Sequence, residues 1–333
     1  MPPDPTSIIS LASAFYGSSI LFASSDLGVF GKLAALGRAS SADLARELKL
    51  SPRGAELLLN GCVAVGLLEK SGDLFRNTPA SAAFLVPGSP GDLSGAIRYN
   101  RDVYSAWQKL PEFARTGDPV ETPETHLGDD SGRTRAFVLS MHGRALGMGR
   151  AVVPRLDLSG RKTLLDLGGG PGTYSVLITA ANPSMRATVL DLPAVAAIAT
   201  ELIASQGASD RVSVLPGDYH TTPFPSPVDA INFFGMLHQE SVDSIRDLFR
   251  RAFDALNPGG VVHVMDMMTD ASHTAPAFSA LFAVNMALTT KNGWVFSDQE
   301  LCGWLEEAGF TDFRVEPLPP PMPHWLAVAR KPD

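Results

Sequence analysis

The chain has 333 residues, 45% hydrophobic and 19% charged, which suffices for a sizeable core and excludes a disordered or fibrous protein. Its 27 basic and 35 acidic side chains leave a net charge of −8, which argues against sequence-independent binding to nucleic-acid phosphates or anionic lipid. The two cysteines, Cys62 and Cys302, lie far apart with no Cys-x-x-Cys or Cys/His cluster, so neither a disulfide framework nor a metal site is expected.

The opening residues, Met1-Pro-Pro-Asp-Pro-Thr, lack a basic stretch, and no run of 18 residues is uninterruptedly apolar. A cytoplasmic protein without signal peptide or membrane span is expected. Apolar residues at helical spacing predict helices over 8–22 and 27–36. Ser40 or Ser41 caps a short helix over 42–48, and Ser51-Pro52, an N-cap followed by a first-turn proline, opens another to about residue 65. Two apolar runs around Ser71-Gly72-Asp73 then predict a β-hairpin. Helix, helix, hairpin is a winged-helix outline, one that DNA readers share. Residues 1–100, however, hold eight basic and eight acidic side chains, and the helix that would enter a groove carries only Arg53 as a cation. Phosphate contacts need several cations on one face, so dimerisation is the expected use of this region.

A polar stretch over 115–133, rich in Thr, Asp, Glu and Gly, places a domain boundary nearby. From residue 137 onward strands and helices alternate: strands over 162–167, 187–192, 212–216, 228–233, 260–267, 311–316 and 325–330, with helices over 174–181, 194–206, 242–256 and 298–308. Such alternation predicts an α/β, Rossmann-like, mostly parallel sheet with helices on both faces. The proline-rich link 317–323 is too short for a crossover, so the last two strands form a terminal antiparallel hairpin.

The segment Leu164-Leu-Asp-Leu-Gly-Gly-Gly-Pro-Gly joins the first of these strands to its helix, where glycines let backbone approach a ligand closely. The dinucleotide fingerprint fails, because its last glycine position is Thr173 or Ser175; a D-x-G-x-G-x-G pattern fits through Asp166, Gly168, Gly170 and Gly172. Asp191, at the end of the second strand, is placed to accept both ribose hydroxyls of an adenosine. Asp218, ending the third, is placed to accept from an adenine amino group, with Tyr219 packing on the ring. Strand-end aspartates also form turns and caps, but three at consecutive strand ends beside a glycine loop point to a nucleoside site.

This ordered set, continued by Leu237-His238 and Leu256-Asn-Pro-Gly-Gly, resembles the S-adenosylmethionine-dependent class I O-methyltransferases. It is similar to the caffeate and acetylserotonin type, especially the bacterial small-molecule branch, over nearly the whole chain. The resemblance implies an N-terminal dimerisation domain over 1–100, a helical connector over 101–150 contributing to the substrate pocket, and a cofactor-binding catalytic domain over 151–333. It implies S-adenosylmethionine as cofactor, S-adenosylhomocysteine as product, and a homodimer acting on a small hydrophobic acceptor. Cofactor positions carry over to Asp166, Gly168, Gly170, Asp191, Leu192, Asp218 and Tyr219, and to Phe234, where plant members often have lysine.

Methyl transfer to a phenol or enol is assisted by a base that removes the hydroxyl proton, a task suited to an imidazole at neutral pH. The resemblance assigns this role to His238 and assigns Asp266 as the acid that orients it. The family's second acid is replaced by Val295, and the usual His-Asp-Trp reads His238-Gln239-Glu240, so an acidic substrate anchor is missing or displaced by one residue. Phe137 and Met141, matching the family's Phe-x-x-x-Met segment, together with Phe282, Asn285 and Met286, are the expected substrate wall. The same architecture also serves C- or N-methylation, or a non-methylating protein that keeps the nucleoside site.

Overall fold

The computed structural model describes residues 4–89, 91–121 and 131–333, which fall into two compact units, Met1–Arg101 and Asp102–Asp333. The division precedes the polar stretch where the sequence placed it. Residues 122–130 of that stretch lie outside the described residues; the segment just before them forms the short helices Tyr104–Trp107 and Leu110–Thr116 of the second unit.

In the first unit, the helix expected over 8–22 is two helices, Thr6–Ser13 and Phe15–Asp26, parted where Ala14 bonds back three residues to Leu11. Ile8, Ile9, Leu11, Phe15 and Tyr16 are each more than half exposed, so their shared apolar character is not spent on this unit's core. The segment Thr6–Asp26 is also long and apolar enough to cross a membrane by length and composition alone. Helix Val29–Leu36 follows. Ser40 caps Ser41–Glu47 in a reciprocal capping box with Asp43, and Ser51 caps Pro52–Ala64. Strands β1 (Ala39–Ser40), β2 (Leu68–Ser71) and β3 (Leu74–Asn77) form an antiparallel sheet in the order β1-β3-β2. The two-residue β1 is too short to show a sequence pattern. Phe30, Leu33, Leu44, Leu59, Cys62 and Phe75 fill the core beneath.

The second unit is built on seven strands: β4 (Thr163–Leu167), β5 (Arg186–Asp191), β6 (Val212–Pro216), β7 (Val228–Phe234), β8 (Leu256–Asp266), β9 (Thr311–Pro317) and β10 (Trp325–Arg330). Their order is β6-β5-β4-β7-β8-β10-β9, with β4 to β8 parallel and β10 antiparallel to both neighbours. This is the expected α/β fold with its terminal hairpin. Alternate strand residues feed opposite layers. Leu165, Leu167 and Phe233 pack with Phe249 and Trp304 from helices Val242–Ala255 and Asp298–Glu307. Leu164, Val189 and Ala230 pack with Ile178 and Ile203 from helices Thr173–Ala181 and Pro193–Ser205. The sheet begins in its middle at β4, runs outward to β6 and returns at β7, so the loops after β4 and β7 diverge and open a crevice at their carboxyl ends. Strand β8 starts four residues earlier than expected, because Leu256 pairs with Val228 across a register shift and Gly259 and Gly260 bond to Lys331.

Candidate functional site

Beyond β4 the chain turns through Gly168–Gly172 into helix Thr173–Ala181. Gly168 and Gly172 have φ of +59° and +70°, and a β-carbon at 172 would lie 2.8 Å from Ile203 Cδ1. Asp166 turns beneath this loop. Its Oδ2 accepts from Ser175 Oγ at 2.6 Å, its Oδ1 is buried without a partner, and burial raises the carboxyl to about 7. Asp166 thus lies directly against the loop, where a β-carbon at Gly169 would come within 2.8 Å of its carboxyl carbon.

Asp191 ends β5 against the glycine loop. Its Oδ2 accepts from the Gly170 amide and its Oδ1 from the Leu192 amide, both at 2.7 Å, while burial pushes the carboxyl up to about 6. Leu192 and Phe137 both pack against the cluster of Val138, Val195 and Ile198. After β6, Asp218 Oδ1 accepts from the His220 amide at 2.9 Å, an Asx-type turn. Arg251 clamps the same loop through Tyr219 O at 2.6 Å and Thr222 O at 2.7 Å. Tyr219 lies beside the glycine loop, and its hydroxyl donates to Glu240 Oε1 at 2.6 Å. Burial and the Glu240 charge hold this phenol above its usual range. Glu240 is bonded to Tyr219 and to Ser244 Oγ at 2.5 Å. Phe234 is buried, with its ring edge-on to Tyr174 at 5.1 Å.

His238 follows β7 in a single 3₁₀ turn, Leu237–Gln239, and Asp266 ends the adjacent β8. Parallel pairing of these strands brings the two side chains together: His238 Nδ1 lies 2.6 Å from Asp266 Oδ1, and the His238 amide donates to Asp266 Oδ2 at 3.3 Å. Both residues are buried, and the Met267 amide also donates to Asp266 Oδ1. Trp294 braces the turn, its amide donating to His238 O at 3.0 Å and its indole Nε1 to Glu240 O at 2.9 Å. Val295 is buried in place of the family's second acid. Phe282 stands edge-on to His238 at 5.3 Å and stacks on the exposed Phe278 at 6.5 Å. Asn285 accepts from Trp107 Nε1 at 3.0 Å; Met286, on the same helix, is buried, and Met141 is half-buried on helix Ser131–Val152. Spacing had no means of revealing Arg251, Trp294 or Trp107, whose partners are distant in sequence.

An adenosyl sulfonium fits this donor set. The loop is glycine where side chains would intrude, Asp191 offers a carboxylate beside the loop amides, and Tyr219 supplies an aromatic face. Methyl supply from such a group needs no further metal or prosthetic centre.

Residues 122–311 match the O-methyltransferase domain and residues 9–87 the O-methyltransferase dimerisation domain. The chain is 32% identical to the 3-hydroxy-5-methyl-1-naphthoate 3-O-methyltransferase of Streptomyces sahachiroi, over 93% of this chain and 90% of that protein. It is 34% identical to the tetracenomycin polyketide synthesis 8-O-methyl transferase TcmO of Streptomyces glaucescens, over 98% and 97%. It is 31% identical to the N,N-dimethyltransferase OxyT of Streptomyces rimosus, over 98% and 96%. The crystal structure of human N-acetylserotonin methyltransferase in complex with S-adenosylmethionine superposes with a TM-score of 0.89 at 27% identity, covering 100% of this chain and 99% of that one. The chain belongs to the S-adenosylmethionine-dependent O-methyltransferase family.

Proposed function

We propose that the chain methylates a hydroxyl of a small aromatic or polyketide-like molecule, with His238 as general base. The observation that carries this reading is the pairing of His238 Nδ1 with Asp266 Oδ1 at 2.6 Å. With its proton on Nδ1, the imidazole keeps a lone pair on Nε2, and that atom takes the acceptor's proton. Asp266 fixes the tautomer and balances the charge that develops on the ring. Bound S-adenosylmethionine supplies an electrophilic methyl group; Asp191, Asp218, Tyr219 and the loop of Gly168 and Gly170 hold it, with Leu192 and Phe234 beside them. Phe282 and Phe278 support a flat apolar acceptor, with Met141, Asn285 and Met286 as further wall. The polyketide and naphthoate substrates named for two relatives support the same class. A homodimer through residues 1–100 is supported by the dimerisation-domain match and by the exposed apolar face of Thr6–Ser13.

The test is S-adenosylhomocysteine formation across a panel of hydroxylated naphthoates and polyketide aromatics, with the new methyl located by NMR. The expected product carries it on oxygen, and His238→Ala lowers turnover by about 10²- to 10⁴-fold while S-adenosylhomocysteine still binds. A methyl on carbon or nitrogen, or an undiminished rate in the variant, overturns the reading.

A further inference from the structure

Arg144 is a half-buried cation on helix Ser131–Val152 with no acidic partner within 4 Å among the described residues. That helix lies over the start of the helix following the glycine loop: His142 Nδ1 meets Thr173 Oγ1 at 2.7 Å, and the bare backbone of Gly149 lets Leu177 approach more closely than a β-carbon allows. The Arg144 charge reaches the hydroxyl of Tyr174, the ring that stands against Phe234.

On its other side, Arg144 Nη2 lies 2.9 Å from His324 Nε2. A guanidinium only donates, so Nε2 accepts and the His324 proton resides on Nδ1. Burial and the Arg144 charge together push this imidazole down to about 3, which keeps it neutral. His324 Nδ1 is buried without a partner, so the ring is a donor lacking an acceptor. His324 precedes Trp325, the residue paired with Asp266 across β10 and β8, and the Asp266 charge reaches it. Arg144 and His324 thus bridge the glycine-loop helix and the His238–Asp266 pair, bringing uncommitted N–H donors and one uncompensated positive charge. Planar donors of this kind are matched by a carboxylate.

We propose that Arg144, positioned by His324, is a carboxylate-binding subsite between the glycine loop and the His238–Asp266 pair, taking either the α-carboxylate of the cofactor's amino-acid arm or a carboxylate borne by the acceptor. The inference rests on the reading that an adenosyl sulfonium occupies the glycine loop.

Calorimetric titration of the whole chain separates the two sources. S-Adenosylhomocysteine and 5′-methylthioadenosine share the nucleoside thioether, but only the first has the carboxylate. On protein saturated with S-adenosylhomocysteine, 3-hydroxy-2-naphthoate and 2-naphthol differ in the same way. If the cofactor's carboxylate is bound, Arg144→Met weakens S-adenosylhomocysteine by about 10- to 100-fold and leaves 5′-methylthioadenosine unchanged. If the acceptor's carboxylate is bound, both nucleosides are unchanged and the naphthoate alone weakens by that factor. Arg144→Lys, which retains the charge but not the fork, falls between wild type and Arg144→Met and keeps the test usable should the methionine variant fold poorly. His324→Gln, which still offers Arg144 an acceptor, stays nearer wild type than His324→Leu for the carboxylate ligand only. Equal losses for ligands with and without a carboxylate, or no loss for any, overturn the proposal. Wild-type protein that binds neither nucleoside overturns the cofactor reading instead.

Discussion

Replacing Asp191 by Asn tests the nucleoside site without requiring an acceptor. Each carboxylate oxygen of Asp191 already accepts one amide, from Gly170 and from Leu192, both at 2.7 Å, which leaves one lone pair on each for a ribose hydroxyl. An amide side chain keeps one accepting oxygen and turns a donor group toward the second backbone N–H. The variant therefore loses a hydrogen bond to a charged group, about 1.5–3 kcal/mol, and also sets donor against donor at the Gly170 or the Leu192 amide. S-Adenosylhomocysteine affinity should fall at least about 10- to 100-fold. A pH signature accompanies the loss. Burial holds the Asp191 carboxyl at about 6, so below that pH its proton has to leave before both hydroxyls donate. Wild-type affinity should thus weaken by up to about tenfold per pH unit as pH falls below about 6, a component the variant lacks. Calorimetry from pH 5 to 8 measures both effects. A variant within about threefold of wild type at pH 8, or one with an undiminished pH slope, would refute the assignment.

Three further outcomes are expected. Asp266→Asn should reduce turnover without weakening S-adenosylhomocysteine, and His238→Ala combined with Asp266→Asn should be no slower than His238→Ala alone, because Asp266 acts through the histidine; additive losses in steady-state rates would contradict this. Asp166 titrates at about 7 in the fold against 3.8 when free, so the folded chain holds a proton that the unfolded chain has released. Its contribution to stability is present below about pH 4 and is lost as pH rises towards 7, so the wild-type melting temperature should fall relative to Asp166→Asn across that window, and parallel curves would rule out the buried acid as the cause. His263 and His324, both pushed down to about 3, bring the opposite slope to both proteins and cancel in the comparison. Glutamate at both Ile8 and Leu11, which are 71% and 77% exposed, should convert a dimer to monomers in sedimentation experiments while leaving the melting temperature of the catalytic unit unchanged; an unaltered sedimentation coefficient would place the interface elsewhere.

Local patterns carried the fold because they arise from local physics. Strands buried on both faces read as short apolar runs, so the limits of β4, β5, β6 and β7 fall within one residue of the sequence expectation. Ser40 and Ser51 announced their helices because a cap is satisfied within three residues. The start of β8 was not legible, since Asn257-Pro-Gly-Gly reads as a loop until Lys331 and β7 supply its hydrogen bonds. Exposure of the Thr6–Asp26 face was equally hidden, because spacing reveals an apolar face but not what covers it.

The glycine loop, its three strand-end aspartates and the histidine after the fourth parallel strand were determined by the sequence as a set, because backbone approach and strand-end geometry restrict which residues serve there. The division of labour among them was decided only in three dimensions. Asp166, Asp191 and Asp218 look alike in one dimension, yet one is held by the helix after the loop, one accepts a loop amide and one closes a turn. Glu240 is drawn to Tyr219, and Arg144 to a histidine 180 residues away. Side-chain partners at such separations are chosen by which strands and helices pack together, and no local periodicity encodes that choice.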